Sequence, residues 1–373
     1  MRRRDTWIAI LFVVFIFGIF FLSIGKQVIP EKTVDIESEQ NIQEANGTTQ
    51  EGNKGTVGTD TTQETKKTYP HTFAGFQAWL NDFTDNLFLK DWIISMNTKI
   101  TGVLSGDSYF ESTQVLKGKG DYLFYKSVTD GNCIEDYKGM NHYSEEELQA
   151  FATNLTSIRD YCEERGVECY YIMIPNKEVV CADFMPDTII RLNKETKTKA
   201  LANYLWTNTD LKLVYPEDVL IEKSKEHQLF YKTDTHLNQC GAFVVFQEFL
   251  DMAYGMREEL EDVEFEIKST THAGDLANIA GVAEQYALDT VYSFKKESAN
   301  PDMLQDKTVL MVGDSFSGFL STIAKGYFTN VEWIYTQDFK ISMLEEYDAD
   351  VIVWETAMRR NEIFKDVDLT QQK

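Results

Sequence analysis

The sequence predicts an α/β fold, a parallel sheet flanked by helices, preceded by one N-terminal transmembrane helix. Three observations carry this. Short, continuously apolar runs alternate with amphipathic helical patterns, as expected of parallel strands buried on both faces. A long uncharged run near the N-terminus follows three arginines. Between that run and the alternating region lies a stretch with almost no large apolar residue.

The uncharged run extends from Thr6 to Gly25 behind Arg2, Arg3 and Arg4. At about 1.5 Å per residue it spans a bilayer core. The arginines place the N-terminus in the cytoplasm and the rest outside. The run is longer than the apolar part of a usual signal peptide, and no A-x-A cleavage site follows it. An uncleaved signal anchor is therefore preferred to a cleaved signal; either reading exports the remainder. Residues 1–30 are read as a basic cytoplasmic tip plus anchor. Residues 31–69, rich in Glu, Gln, Thr, Asn and Gly, are read as a disordered extracytoplasmic linker. Residues 70–373 are the expected globular domain, held at a single-pass position on the cell membrane.

Within that domain, Phe73, Phe76, Trp79, Leu80 and Phe83 recur at helical spacing, and Leu87 to Ile100 continues the style. Gly118 to Tyr125 reads as a turn entering a strand. Ser144-Glu145-Glu146-Glu147 has capping-box spacing and opens a helix buried through Leu148, Phe151, Leu155, Ile158 and Tyr161, with Gly166 stopping it. Glu168 to Ile174 is an expected strand, and Leu211 to Val214 a second, followed by a helix from about Pro216 to Lys225. Asn238 can cap a helix that Gly255 ends. After an irregular region come a strand at Thr308–Val312, a helix from Phe316 to about Lys325, and strands at Val331–Tyr335 and Asp350–Trp354.

Composition narrows the partners. There are 36 Lys and Arg against 60 Asp and Glu, a net charge of −24. Such a balance argues against nucleic acid, whose binding needs clustered cations. The five cysteines, Cys133, Cys162, Cys169, Cys181 and Cys240, match no zinc spacing. The histidines form no H-E-x-x-H signature. No metal and no bound cofactor are expected. A Cys162–Cys169 disulfide is open to an exported chain; buried free thiols are the default.

Two stretches remain. Val309 to Gly318 reads as strand, tight turn and helix, with Ser315 on the turn. Tyr231 to His236 contains Asp234 and His236. A serine hydroxyl needs a base to take its proton during attack. His236 is the candidate base. Asp234, on the same side two residues earlier if the chain is extended, can hold its tautomer. Gly313 and the helix start after it are candidates for oxyanion stabilisation. Ser317 is a competing nucleophile, ranked lower because it lies inside the helix. Ser315, Asn176 and Glu355 all follow strand ends, where chemistry collects in such sheets. Asn176, Lys177, Glu355 and Arg359 are candidates for the cleft or its support, with ordinary ion pairing an equal alternative for Lys177 and Arg359.

These motifs together resemble the SGNH-hydrolase-like polysaccharide O-acetyltransferases of the AlgJ/AlgX type. The resemblance runs from about Phe73 to Arg360. It rests on Gly120 to Tyr125, Ile174-Pro175-Asn176-Lys177, Tyr231 to Asn238, Gly274-Asp275-Leu276-Ala277, Gly313-Asp314-Ser315-Phe316, and Trp354-Glu355 with Arg359. It implies an SGNH-hydrolase-like domain, with Ser315 as acyl-accepting nucleophile, His236 as base and Asp234 as its orienting partner. It further implies transfer of acetyl to a cell-surface or exported polysaccharide. The acetyl group would come ultimately from acetyl-CoA through a multi-spanning membrane acyltransferase. Leu237 departs from the family pattern, which usually has an aromatic there, and bears on the expected cleft shape. A carbohydrate acetyl esterase with the same triad, and a non-catalytic glycan-binding or assembly protein, are the rival readings.

Overall fold

The computed structural model describes residues 112–270, 273–286 and 289–366. The expected anchor, linker and aromatic entry helices lie outside them. Among the described residues no helix is long and apolar enough to cross a membrane.

The described residues open with a hairpin, β1 (Val115–Lys117) and β2 (Leu123–Tyr125), then α1 (Cys133–Tyr137) and α2 (Glu145–Glu163). β3 (Glu168–Ile174), α3 (Lys177–Val180), α4 (Lys197–Asn208), β4 (Leu213–Val214), α5 (Glu217–Lys223) and α6 (Gln239–Tyr254) follow. A second hairpin, β5 (Phe265–Thr270) and β6 (Asp289–Phe294), brackets the short α7 (Asp275–Ile279). Then come β7 (Gln305–Gly313), α8 (Ser315–Ala324), β8 (Phe328–Tyr335), α9 (Met343–Glu346), β9 (Val351–Ala357) and α10 (Ile363–Asp366).

The five-stranded sheet has the order β4-β3-β9-β7-β8, and every neighbouring pair is parallel. Side chains of successive strand residues point to opposite faces. Tyr170, Ile172, Ile174, Met311 and Val353 therefore share one core with Phe243, Phe246 and Phe249 of α6 and Leu320 of α8. Tyr171, Met173, Leu310, Val312 and Trp354 share the other with Phe151 and Leu155 of α2 and Leu201 of α4. Burial on both sides is why these strands carry no polar alternation.

The caps read from the sequence are formed. Ser144 Oγ accepts from Glu147 N–H at 3.2 Å while Glu147 Oε2 accepts from Ser144 N–H at 2.9 Å. Asn238 Oδ1 accepts from Gly241 N–H at 3.0 Å, and Gly255 ends α6 in the left-handed region. All five cysteines are buried free thiols, so the Cys162–Cys169 disulfide is not formed.

Three expectations are corrected. β9 runs on to Ala357, so Glu355 lies inside the strand, paired opposite Ile172, and not past its end. The region read as irregular contains the antiparallel pair β5–β6 in full register. β8 begins three residues before Val331, and Thr329, Asn330, Glu332, Trp333 and Tyr335 along it are exposed. It is an edge strand, and polar edge residues discourage pairing with another chain.

Candidate active site

β7 ends at Gly313 and α8 starts at Ser315, so the nucleophile candidate occupies the first helical position. Asp314 between them fixes the turn. Its Oδ1 caps α8 by accepting from Phe316 N–H at 2.9 Å, and its Oδ2 accepts from Ala357 N–H at 3.1 Å. Its own N–H donates to Glu355 Oε2 at 3.2 Å. The turn is thereby tied to the end of β9. Gly313 is required for this close approach: a Cβ there would sit 2.5 Å from Glu355 Oε2 and 2.9 Å from Glu355 Cβ. Burial, then the charge of Asp314, pushes the Glu355 carboxyl well above the usual carboxylate range. Glu355 is a fully buried support under the turn rather than a group lining an open cleft.

His236 arrives from the loop between α5 and α6. Phe230 and Leu237 form an isolated bridge, and Tyr231 N–H donates to His236 O at 3.2 Å, so the loop closes on itself. His236 Nε2 is 2.6 Å from Ser315 Oγ, and Nδ1 is 2.6 Å from Asp234 Oδ1. With Nδ1 donating to the carboxylate, Nε2 is left to accept the serine proton. The side chains meet for a different reason from the one expected. The segment is a turn, and Asp234 Oδ1 also accepts from the backbone N–H of His236 at 3.0 Å. This is the local bonding at which aspartate excels in turns. Burial alone would raise the Asp234 carboxyl. The hydrogen bond and charge of His236, with N–H donors from Asp275 and His236, hold it well below the usual range. Phe316 and Phe319 pack on the imidazole, with ring centroids 4.8 and 5.7 Å away.

Lys177 borders a small pocket with Asn176 and has no ion-pair partner among the described residues. It is 3% exposed, and its ammonium donates to the carbonyls of Leu123 (2.8 Å), Lys232 (2.8 Å) and Asp234 (2.9 Å). It ties the histidine loop to β2 and the end of β3. Burial lowers its amine to about 8. Asn176, just before it, is also buried, and its Nδ2 has no protein partner. Asn176 lines a small pocket with Thr235, Phe316 and Arg359. The Arg359 guanidinium lies over the Phe316 ring at 5.5 Å, and its Nε is 3.7 Å from Asp130 Oδ2, so the ion-pair alternative holds for this residue. Ser317 Oγ donates to Asp314 O and accepts from Trp333 Nε1, both at 2.6 Å, and the hydroxyl bonded to His236 is that of Ser315. Leu237 is buried in the α6 core and does not shape a cleft.

The sequence reading left Asp275 out of the site, although Gly274-Asp275 stood among the motifs. The bare Cα of Gly274 allows the approach: a Cβ there would lie 2.5 Å from Asp234 Cβ. Ligand-type atoms of Asp234, His236 and Asp275 lie within 4.8 Å of one another. Their oxygens already accept from Nδ1 and N–H of His236, from Asp275 N–H and from Thr235. A cation here would have to displace the Nδ1 proton, so the donor set suits holding a proton.

The chain is similar to the O-acetyltransferase domain of Pseudomonas putida AlgJ, at 15% identity and TM-score 0.48 over 68% of this chain and 93% of that one. It is similar to Bacillus cereus PatB1 with a sulfonyl adduct, at 11% identity and TM-score 0.49 over 71% and 99%. Pseudomonas aeruginosa AlgX gives 15% identity and TM-score 0.43 over 69% and 67%. No curated protein sequence matches the chain. The family model for the SGNH hydrolase-like domain of acetyltransferase AlgX matches residues 115–330, which hold β1 through α8 with Asp234, His236 and Ser315. The chain belongs to that SGNH hydrolase-like acetyltransferase family.

Proposed function

We propose that this chain is an extracytoplasmic O-acetyltransferase that moves an acetyl group, through an acetyl-Ser315 intermediate, onto hydroxyls of a cell-surface or exported polysaccharide. One observation carries the reading: the continuous relay from Asp234 through His236 to Ser315, with both contacts at 2.6 Å. Family membership supports acetyl as the group transferred.

Ser315 Oγ attacks the acetyl carbonyl carbon of a donor ester while His236 Nε2 takes its proton. Asp234 accepts from Nδ1 and stabilises the imidazolium. The oxyanion is met by the Ser315 N–H at the start of α8 and by Asn176 Nδ2, the Phe316 and Ser317 N–H groups being taken by Asp314. The departing donor oxygen takes the proton back from His236. A sugar hydroxyl then gives its proton to His236 and attacks the acetyl carbonyl, and the Ser315 Oγ that departs takes that proton from His236. The donor is an acetylated group delivered by a multi-spanning membrane acyltransferase that draws on cytoplasmic acetyl-CoA. The single apolar run at Thr6–Gly25 anchors the chain beside that partner.

The test uses the full chain in mild detergent with a chromogenic acetyl ester. The expected result is one added acetyl on the Ser315 peptide that empties onto oligosaccharide faster than onto water. Release as acetate, indifferent to sugar, would make the protein an esterase. No Ser315-dependent adduct would overturn the enzyme reading in favour of glycan binding.

A further inference from the structure

We propose that Asp275 is a second carboxylate of the relay, a positioning residue that braces the loop of the base and adds negative charge beside the imidazolium formed when Ser315 attacks. This rests on the acyl-transfer reading above.

The segment that opens α7 is bonded to the base loop at every turn. Gly274 N–H donates to Thr233 Oγ1 at 2.9 Å, and Ala277 N–H to Thr233 O at 3.2 Å. Asp275 N–H donates to Asp234 Oδ2 at 3.0 Å, the oxygen that His236 leaves free. In return Asp275 Oδ1 accepts from Thr235 N–H at 2.8 Å and Oδ2 from Thr235 Oγ–H at 2.6 Å. Asp275 Oδ2 then lies 3.8 Å from His236 Nδ1, so two carboxylates face one ring edge. Asp234 makes the hydrogen bond, and Asp275 contributes charge without one.

A carboxylate with only this structural duty could be replaced by any side chain that accepts from Thr235. A carboxylate that also acts electrostatically could not. The protonated imidazole appears only while Ser315 has given up its proton, so nearby negative charge lowers the acylation barrier rather than the energy of resting enzyme. Burial and the charge of Asp234 push the Asp275 carboxyl above its usual range. The two acids therefore titrate as a pair. Other charged or titratable groups face the same ring. Lys177 lies behind Asp234, Asp289 holds Thr233 N–H at 3.0 Å, Tyr231 flanks Phe319, and Arg359 covers Phe316. None of these approaches Nδ1 as Asp275 does among the described contacts.

Asp275→Asn keeps the shape and an oxygen for Thr235 N–H while removing the charge. In the full chain the acid limb of kcat/KM for a chromogenic acetyl ester should move about one pH unit lower. The value of kcat should fall about tenfold, with KM unchanged. Asp275→Glu should restore the limb. Thr235→Val removes the hydroxyl's bond to Asp275 and its 3.4 Å contact with His236 Nδ1 but not the charge, and should move the limb much less than Asp275→Asn does. If Asp275→Asn fails to fold, Asp275→Ser takes its place. The same shift should appear in the imidazole titration of His236, read by histidine-selective 13C NMR and assigned through its loss in His236→Ala. That readout needs no turnover. A limb and a titration unmoved in Asp275→Asn, or moved equally in Thr235→Val, would overturn the proposal. Full activity in Ser315→Ala would instead sink the acyl-transfer reading and leave the titration to judge Asp275 alone.

Discussion

Replacing Lys177 by methionine separates what a buried cation does for the active loop from what it does for the fold. The ammonium serves three carbonyls, but the Lys232 carbonyl also accepts from Leu123 N–H at 2.8 Å. At most two carbonyls are left without a donor. A stranded buried acceptor costs about 1–3 kcal/mol, so the loss is about 2–6 kcal/mol. Against this, burial lowers the amine from 10.5 to about 8. At about 1.4 kcal/mol per pH unit, methionine avoids a penalty of about 3 kcal/mol at neutral pH. The two effects nearly cancel, and Lys177→Met should fall between about 1 kcal/mol more stable and about 3 kcal/mol less stable than the parent. Turnover should not be spared. The loop carrying Asp234 and His236 loses its tie to β3, and a displacement of about 1 Å costs about 100-fold in rate. The comparison is urea unfolding beside kcat/KM on an acetyl ester. The pH dependence supplies the sign. Between pH 8 and 10.5 the unfolded parent binds a proton that the folded one lacks. The parent therefore gains stability over Lys177→Met as pH rises through that window, and gains nothing below it. Parental turnover in the variant, a loss beyond about 5 kcal/mol, or a flat difference across that window would refute the reasoning.

Gly313→Ala should cost about 1–3 kcal/mol and most of the turnover, because the new methyl meets Glu355; thermal melts and ester kinetics check this together. Ser317→Ala breaks its bonds to Asp314 and Trp333 and should lower stability by about 1–3 kcal/mol. The acetyl adduct on Ser315 should still form in it, and mass spectrometry should find none in Ser315→Ala. Asp136 is buried with one unpartnered oxygen, and burial raises its carboxyl to about 7. Below that pH the folded chain keeps the proton. The unfolded chain gives that proton up near pH 4, so Asp136→Asn should match the parent below about pH 4, gain about 1.4 kcal/mol per pH unit as pH rises from about 4 to about 7, and hold a constant advantage above 7 in urea unfolding. A difference that is flat between about pH 4 and 7, or that keeps growing above 7, would contradict this.

The sheet was legible because its strands are buried twice over. Runs such as Tyr170 to Ile174 and Val309 to Val312 feed two cores and show no polar alternation. β8 was only partly legible, since an exposed edge strand with Asn330 and Glu332 carries no such run. The nucleophile turn and its base could be named from residue type and spacing. What held them could not. Lys177, a charged residue in the sequence, becomes a donor to backbone carbonyls, and nothing local marks that use. Asp275 lies 39 residues beyond His236 in the sequence, and only the bare Cα of Gly274 lets it reach. Its one legible signal was the Gly-Asp pair before a short apolar run.

The strand order has a bearing on when the enzyme comes alive. β9 is the last described strand in the chain, yet it is the middle of the sheet, between β3 and β7. It brings Glu355 and the Ala357 N–H that fix Asp314. A nascent chain that has delivered Asp234, His236 and Ser315 still has β3 and β7 unjoined and the serine turn untethered. Folding of such long-range parallel pairings is slow and late. Competence for acylation thus arrives as one of the final folding events. A chain truncated before β9 would carry every residue of the relay but lack the strand that fixes Asp314.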